Sequence, residues 1–425
     1  MKFQNLILVA ILCTGSSLIA EDWTSWRGSN GNSLAEGSDY PTKWSADSGI
    51  VWKAEIPGVG ASSPVISRGH VFLTSTLDNQ NQVTCLTMEG KIKWTKNLGQ
   101  SIEGKQGKDG TGANPSAVTD GERVFVYFKS GDFGCFDFEG TLQWETNVFQ
   151  RFAEVTSETL WWDLGTSPVL TSDAVVIAMM HSGPSYLAAF HPSDGKLLWK
   201  QDRQTDAPRE AAQSYTTPVV TTNPDGLEVI VVTGADYVTG HDASSGKELW
   251  RVGSLNPESN EYFRSISSSV SNGDVVVAPY ARGDSLTTIQ LGKLADGQTR
   301  IAWDKTTTSA DVPTPVIHGD RIFVLRDVKK ARGTVDCINL KTGDVIWSGQ
   351  LPAHRTTYRA SPVYADGHLY ATRQDGTVFV VDAMGDDFKL VSENKIADGH
   401  TVSTPAFVDG KILLRSGETL YCIGK

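Results

Sequence analysis

Two adjacent tryptophans beside a carboxylate, Trp161-Trp162-Asp163, are the stretch of the sequence most obviously able to hold a ligand. Paired indoles can stack on a planar or sugar-like molecule or on a partner's side chain, and they can equally pack a loop onto its scaffold, the reading preferred for at least one of them. Five more polar residues, Asn114, Tyr215, Arg264, Arg359 and His400, each stand shortly before a segment that restarts a repeated pattern. Arg264 and Arg359 would offer fixed positive charge to an anionic group, although each alone reads more readily as a surface or ion-pair residue. Other chemistry finds less support. The histidines show no His-x-x-x-His spacing for zinc, so no metal site is expected, and no carboxylate pair can be given acid and base roles without a distance between them. The glycine-rich run Gly104 to Gly112 has neither the spacing of a phosphate loop nor a following helix, and reads as a linker. Catalytic residues therefore stay unassigned.

What must position these groups is a repeat. Cys337-Ile-Asn-Leu-Lys-Thr-Gly-Asp-Val-Ile-Trp347 alternates like a strand, turns at Gly343, and returns to end on an indole. The hairpin recurs at Ala189 to Trp199 and Gly240 to Trp250, and one residue shorter at Cys85 to Trp94 and Cys135 to Trp144. A second element, Ser/Thr-Pro-Val followed by a turn and a strand, begins at Ser63, with copies placed at Pro115, Pro168, Pro218, Pro315, Pro362 and Pro405 and a proline-free version at Ser269. Eight starts about 43–53 residues apart leave room for four short strands each. The spacing predicts an all-β, eight-bladed β-propeller of four-stranded antiparallel blades. The last repeat lacks its fourth strand, and Ile50 to Ile56 is available to supply it and close the ring. Trp94, Trp144, Trp199, Trp250, Trp303 and Trp347 are expected on outer strands as structural docking residues, with Trp52 in blade 8 and Val391 standing in at blade 7.

The bulk numbers bound the partners. A net charge of −11 argues against nucleic acid, and nothing resembles a basic amphipathic helix for a membrane surface. Residues 1–20 read as a secretory signal, with Lys2, an apolar run and small residues ending at Ala20. Cleavage there is preferred over lipidation at Cys13, because Leu12 occupies a place where a small residue is expected. No other run is long enough to span a bilayer, so a soluble periplasmic or extracellular monomer is expected. Residues 21–49 read as an irregular strap anchored by Trp23 and Trp26, and residues 50–425 as the propeller. Cys85, Cys135, Cys337 and Cys422 fall at equivalent strand positions, which lie about 10 Å apart in neighbouring sheets, and a disulfide needs Cα atoms within about 7 Å. Four buried free thiols are expected.

The hairpin resembles the tryptophan-docking motif, Ala-x-Asp-x-x-Thr-Gly-x-x-x-Trp, of the pyrroloquinoline-quinone (PQQ) repeat. Cys337 to Trp347 keeps its Thr342-Gly343 and its Trp, with Asn339 at the Asp position. The resemblance covers residues 50–425 and implies the fold of the quinoprotein alcohol dehydrogenase-like superfamily. It implies less about activity, since the BamB-type scaffold propeller of the outer-membrane β-barrel assembly machine is similar too. The dehydrogenases pair a vicinal disulfide with a quinone and hold Ca²⁺ through carboxylates and an amide, whereas this sequence has no adjacent cysteines and no Cys-x-x-Cys-His for a haem. An exported binding or scaffold propeller, taking a protein partner or small molecule at the channel mouth and using no cofactor, is therefore expected. The alternative is an oxidoreductase of alcohols or sugars using PQQ with Ca²⁺.

Overall fold

The computed structural model describes residues 22–102, 110–152, 164–295, 298–306, 308–328, 330–396 and 399–425. Its strands form eight four-stranded antiparallel sheets, seven of them built from consecutive strands. In the eighth, Ile50–Glu55 lies beside Thr419–Ile423, with Trp52 opposite Cys422, Ala54 opposite Leu420 and Glu55 opposite Thr419. The expected eight-bladed propeller is present, and its ring is closed by joining the two ends of the chain. Closure leaves no sheet edge at the seam for another chain to pair with.

Each blade repeats one packing rule. The outer-strand indole sits directly across the ladder from a small residue of the third strand: Cys85 faces Trp94, Cys135 faces Trp144, Ala189 faces Trp199, Gly240 faces Trp250 and Cys337 faces Trp347. At Gly240 a Cβ would lie 2.1 Å from the Trp250 ring, and in blade 5 Thr288 faces Trp303. Cys85, Cys135, Cys337 and Cys422 are all buried and free. The indole then reaches the next blade, where Nε1 donates to a turn carbonyl: Trp52 to Met88 (2.9 Å), Trp94 to Phe138 (3.0 Å), Trp144 to Pro192 (2.8 Å), Trp303 to Leu340 (2.8 Å) and Trp347 to Gly385 (3.1 Å). Glycines receive the rings; at Gly195 (φ +66°) a Cβ would meet Trp144 at 2.6 Å. Trp199 and Trp250 lie half-buried without such a bond, the latter under the Arg300 guanidinium at 5.2 Å.

Two expected registers differ. In blade 7 the residue at the indole's place is Ser392, which pairs with Val380, while Val391 falls in the bulge. The turn between the third and fourth strands covers 383–389 here against 340–344 in blade 6, and this longer turn displaces the alignment. Ser392 Oγ bonds the Thr42 carbonyl, and Trp44, 7% exposed, fills the junction with blade 8, its amide donating to Asn394 Oδ1 at 2.9 Å. In blade 2 the inner strand is Val118–Thr119, so Ala117, not Pro115, occupies the proline position.

The Ser/Thr of the Ser/Thr-Pro-Val element has a definite task. Backbone N–H groups donate to hydroxyls one blade on: Ser63 to Ser116, Ser116 to Ser167, Ser167 to Thr217, Thr217 to Ser268, Ser268 to Thr314, Thr314 to Ser361, Ser361 to Thr404, and Thr404 back to Ser63, all at 2.9–3.1 Å. A following proline holds the donor residue extended and so aims its N–H sideways. The result is a closed hydrogen-bonded belt around the channel.

Residues 22–35 lie across the inner strands from one side, and 42–49 continue to the outer part of blades 7 and 8. Trp23, 2% exposed, pairs its backbone with Ile66 of blade 1, Thr24 accepts from Thr119 of blade 2, and Ala35 bonds Tyr364 of blade 7. Arg27 crosses to blade 6, where Nη2 donates to the Pro315 carbonyl, and Nε donates to Ser33 Oγ at 2.9 Å.

Candidate functional site

In such a blade the connection into the innermost strand and the turn between the second and third strands emerge on the same face, opposite the one that residues 22–35 cover. Loops there carry function because a rigid ring positions them. Tyr215 and Arg264 come together: the Tyr215 amide donates to Ser265 O at 2.8 Å, its hydroxyl to Gln213 Oε1 at 2.7 Å, and Arg264 Nη1 meets Glu210 Oε1 at 2.6 Å. Arg264 and Glu210 are 15% and 11% exposed at their side chains, so this is an inward ion pair. Asn114 accepts through Oδ1 from the Thr111 amide and hydroxyl, bracing its own loop. His400 lies by Gln374 and over the seam between blades 8 and 1. Trp161, Trp162 and Asp163 fall outside the described residues.

Arg359 belongs to a group the sequence did not suggest. Asp327 is 7% exposed and accepts from the Asp311 amide through Oδ1 at 2.8 Å. Burial, followed by the neighbouring Asp311 charge, pushes its pKa up to about 6, with Arg359 pulling the other way. Arg282 stands 3.6 Å from Asp311 on the far side. A half-buried carboxylate, Asp236, is also raised by burial; the Tyr280 hydroxyl and Asn256 Nδ2 both donate to it. Asp236 and Asp327 each follow the second strand of their blade, a position the repeat pattern could have flagged.

At the seam, a groove of about 770 Å³ runs between blades 8 and 1. Its walls include Val59, Leu77 and Ile102, which are 48%, 39% and 43% exposed, an apolar strip on an otherwise polar rim. Asp78 and Glu418 edge it, and Arg415 lies at its base, bonded to Ser62 Oγ and the Thr74 carbonyl, with Nη2 left unpaired and its pKa lowered to about 10 by burial.

A calcium-held quinone would need several oxygen ligands converging on one point. Among the described residues no group of three or more His, Cys, Asp or Glu side chains is gathered closely enough to hold a metal ion. Asp311 and Asp327 lie together with Arg282 and Arg359 beside them, and a pair of carboxylates alone supplies too few oxygens for a calcium ion.

Among solved structures, BamB from Moraxella catarrhalis is similar with a TM-score of 0.60 at 14% identity, covering 88% of this chain and 97% of that one. A europium-containing methanol dehydrogenase is similar with a TM-score of 0.71 at 11% identity, covering 95% and 98%. A computationally designed protein, Ika8, is similar with a TM-score of 0.60 at 14% identity, covering 88% and 99%. Identities this low establish the fold alone. No curated protein matches the sequence. A family profile described as outer membrane protein assembly factor BamB matches residues 16–183, 79–225, 158–300 and 291–418. With almost its whole length covered by that profile, the chain belongs to the BamB-like family of PQQ-repeat β-propellers.

Proposed function

We propose that this chain is an exported, non-catalytic binding or scaffold propeller whose partner is a protein segment docking in the groove between blades 8 and 1. The observation that carries this is the apolar strip of Val59, Leu77 and Ile102 lining a concave, solvent-facing groove. Apolar anchors with charged edges are how propeller rims and other docking surfaces hold peptides, and Asp78 and Glu418 favour a partner carrying Lys or Arg beside its anchor. The net charge of −11 steers the same kind of partner. Membership in a family described as an assembly factor supports a protein partner rather than a metabolite.

The test uses the full chain as bait for a displayed peptide library. Selected peptides should share a large apolar residue flanked by Lys or Arg and should bind Leu77→Asp at least ten-fold more weakly. Peptides that bind wild type and L77D alike would sink the groove assignment. A second arm adds PQQ with Ca²⁺ and follows dye reduction with alcohols and aldoses; cofactor-dependent turnover would replace the scaffold with the oxidoreductase, in which Asp327 would be the first carboxylate to consider as base.

A further inference from the structure

On the opposite face of the ring, residues 24–32 and the inner strands of blades 3, 4 and 5 enclose a vestibule of about 530 Å³. Its polar lining is unbalanced. Arg27 is 2% exposed, and its guanidinium spends Nε on Ser33 and Nη2 on Pro315, leaving Nη1 with no hydrogen-bond partner among the described residues. No carboxylate compensates it, and burial lowers its pKa to about 9. At the apex stand Thr217 and Ser268, whose oxygens already accept the belt N–H groups of Ser167 and Thr217, so their hydroxyl protons remain to be given. Asn272, on the rim, accepts backbone bonds from Asp274 and Val275 through Oδ1, which leaves its Nδ2 as a donor. The one carboxylate in the lining, Glu228, is taken up by the amide and hydroxyl of Ser172.

The lining also holds Asn32 Oδ1, a buried acceptor with no partner among the described residues and so able to take a sugar hydroxyl, while the free donors around the unpaired buried cation complement an oxyanion. A charge buried without a partner is unfavourable, and an anion meeting Nη1 would offset that desolvation. The volume is that of a small-molecule site. The half-buried Trp26, its ring 5.6 Å from the guanidinium carbon, adds an aromatic wall of the kind that stacks on a sugar ring. From this we infer that the vestibule binds a small polyhydroxylated oxyanion, an acidic or phosphorylated sugar, with Arg27 taking the charged group and the Thr217, Ser268 and Asn272 donors taking oxygens. The site lies apart from the seam groove and does not depend on the scaffold assignment.

Calorimetric titration of the full chain with glucuronate, glucose 6-phosphate, glucose and inorganic phosphate tests it. At least one charged sugar should bind ten-fold or more tightly than both glucose and phosphate. Arg27→Gln should abolish that preference. Because Arg27 also fastens residues 22–35 across the ring, Asn272→Asp is the second variant: its carboxylate keeps the two backbone bonds while placing negative charge on the rim, so the charged sugar should weaken at least ten-fold with the melting temperature unchanged. No heat with either charged sugar, binding of an adventitious ion only (phosphate without the sugars), or N272D binding the charged sugar as wild type does would each overturn the proposal.

Discussion

Replacing Trp347 with alanine tests the rule that builds every blade junction. The indole is 5% exposed, sits across from Cys337, has ring centroids of Phe323 and Phe388 at 6.1 Å and 5.8 Å, and donates to the Gly385 carbonyl. A buried indole removes about 150–250 Å² from water, a gross ~4–6 kcal/mol at about 25 cal/mol per Å². Partial collapse of the site returns some of this, and a net loss of ~3–5 kcal/mol is expected. The Gly385 carbonyl, on a half-buried turn, can turn to water and adds little. Urea denaturation followed by near-UV circular dichroism reads the loss as a lowered midpoint. Trp199→Ala is the internal control, since that indole is only half-buried and makes no Nε1 bond; its loss should be clearly smaller. A Trp347→Ala midpoint equal to wild type, or a larger loss for Trp199→Ala, would refute the reasoning.

Asp327 makes stability pH-dependent in a direction opposite to an exposed carboxylate. With its folded pKa near 6, above its ordinary value, the folded chain holds the proton more tightly, so this group's contribution falls as pH rises from about 4 through about 6. His181 and His241, lowered to about 4 by burial, act the other way over the same window, contributing stability above their unfolded value that is lost as pH falls. The difference between Asp327→Asn and wild type isolates the carboxylate: the variant should gain on the order of 3 kcal/mol relative to wild type between pH 4 and pH 7.5, and parallel unfolding curves across that range would remove the case for a perturbed group. Burial raises the thiols of Cys85 and Cys135 to about 12 and those of Cys337 and Cys422 to about 11. All four should resist a thiol reagent in the native protein at pH 7.5 and react once unfolded; rapid native labelling of any would contradict its packing against the indole. Ser361→Ala strips the acceptor from the Thr314 N–H and should cost about 1–3 kcal/mol in chemical denaturation, with Ser361→Thr restoring most of it; an unaffected alanine variant would mean that the belt bond adds nothing.

The ring and its seam were legible because their signals are local and repeated. A turn glycine with an indole four residues later needs no long-range knowledge, and the missing last strand could be read by comparing the two ends of the chain. The expectation at Val391 falls one residue from Ser392 because the turn at 383–389 is longer than its counterpart at 340–344 and lacks the Thr-Gly that marks the register there. Trp44 was seen as part of a strap, yet nothing in the sequence says that it fills the junction where blade 7 lacks its own indole. The mouth was harder still. Asn114, Tyr215 and Arg359 share a place two residues before the belt hydroxyls of Ser116, Thr217 and Ser361. Some side-chain partners there are local, Thr111 for Asn114 and Gln213 for the Tyr215 hydroxyl, whereas Arg264 meets Glu210 across 54 residues. Asp327 stands two residues beyond its blade's second strand, and its partner, the Asp311 amide, lies 16 residues away where no local pattern announces it.

The belt of eight backbone-to-hydroxyl bonds has no first or last member. Its N–H donors all point in one rotational sense around the ring. The join from Thr404 to Ser63 is chemically the same as the other seven, although it alone spans the two ends of the polypeptide. The circle is therefore indifferent to where the chain is cut and sensitive to how many links it has. A circular permutant opened between two other blades keeps every dipole, whereas excising a whole blade forces the survivors to re-aim together, which makes the number of modules a property held at the axis rather than at the rim.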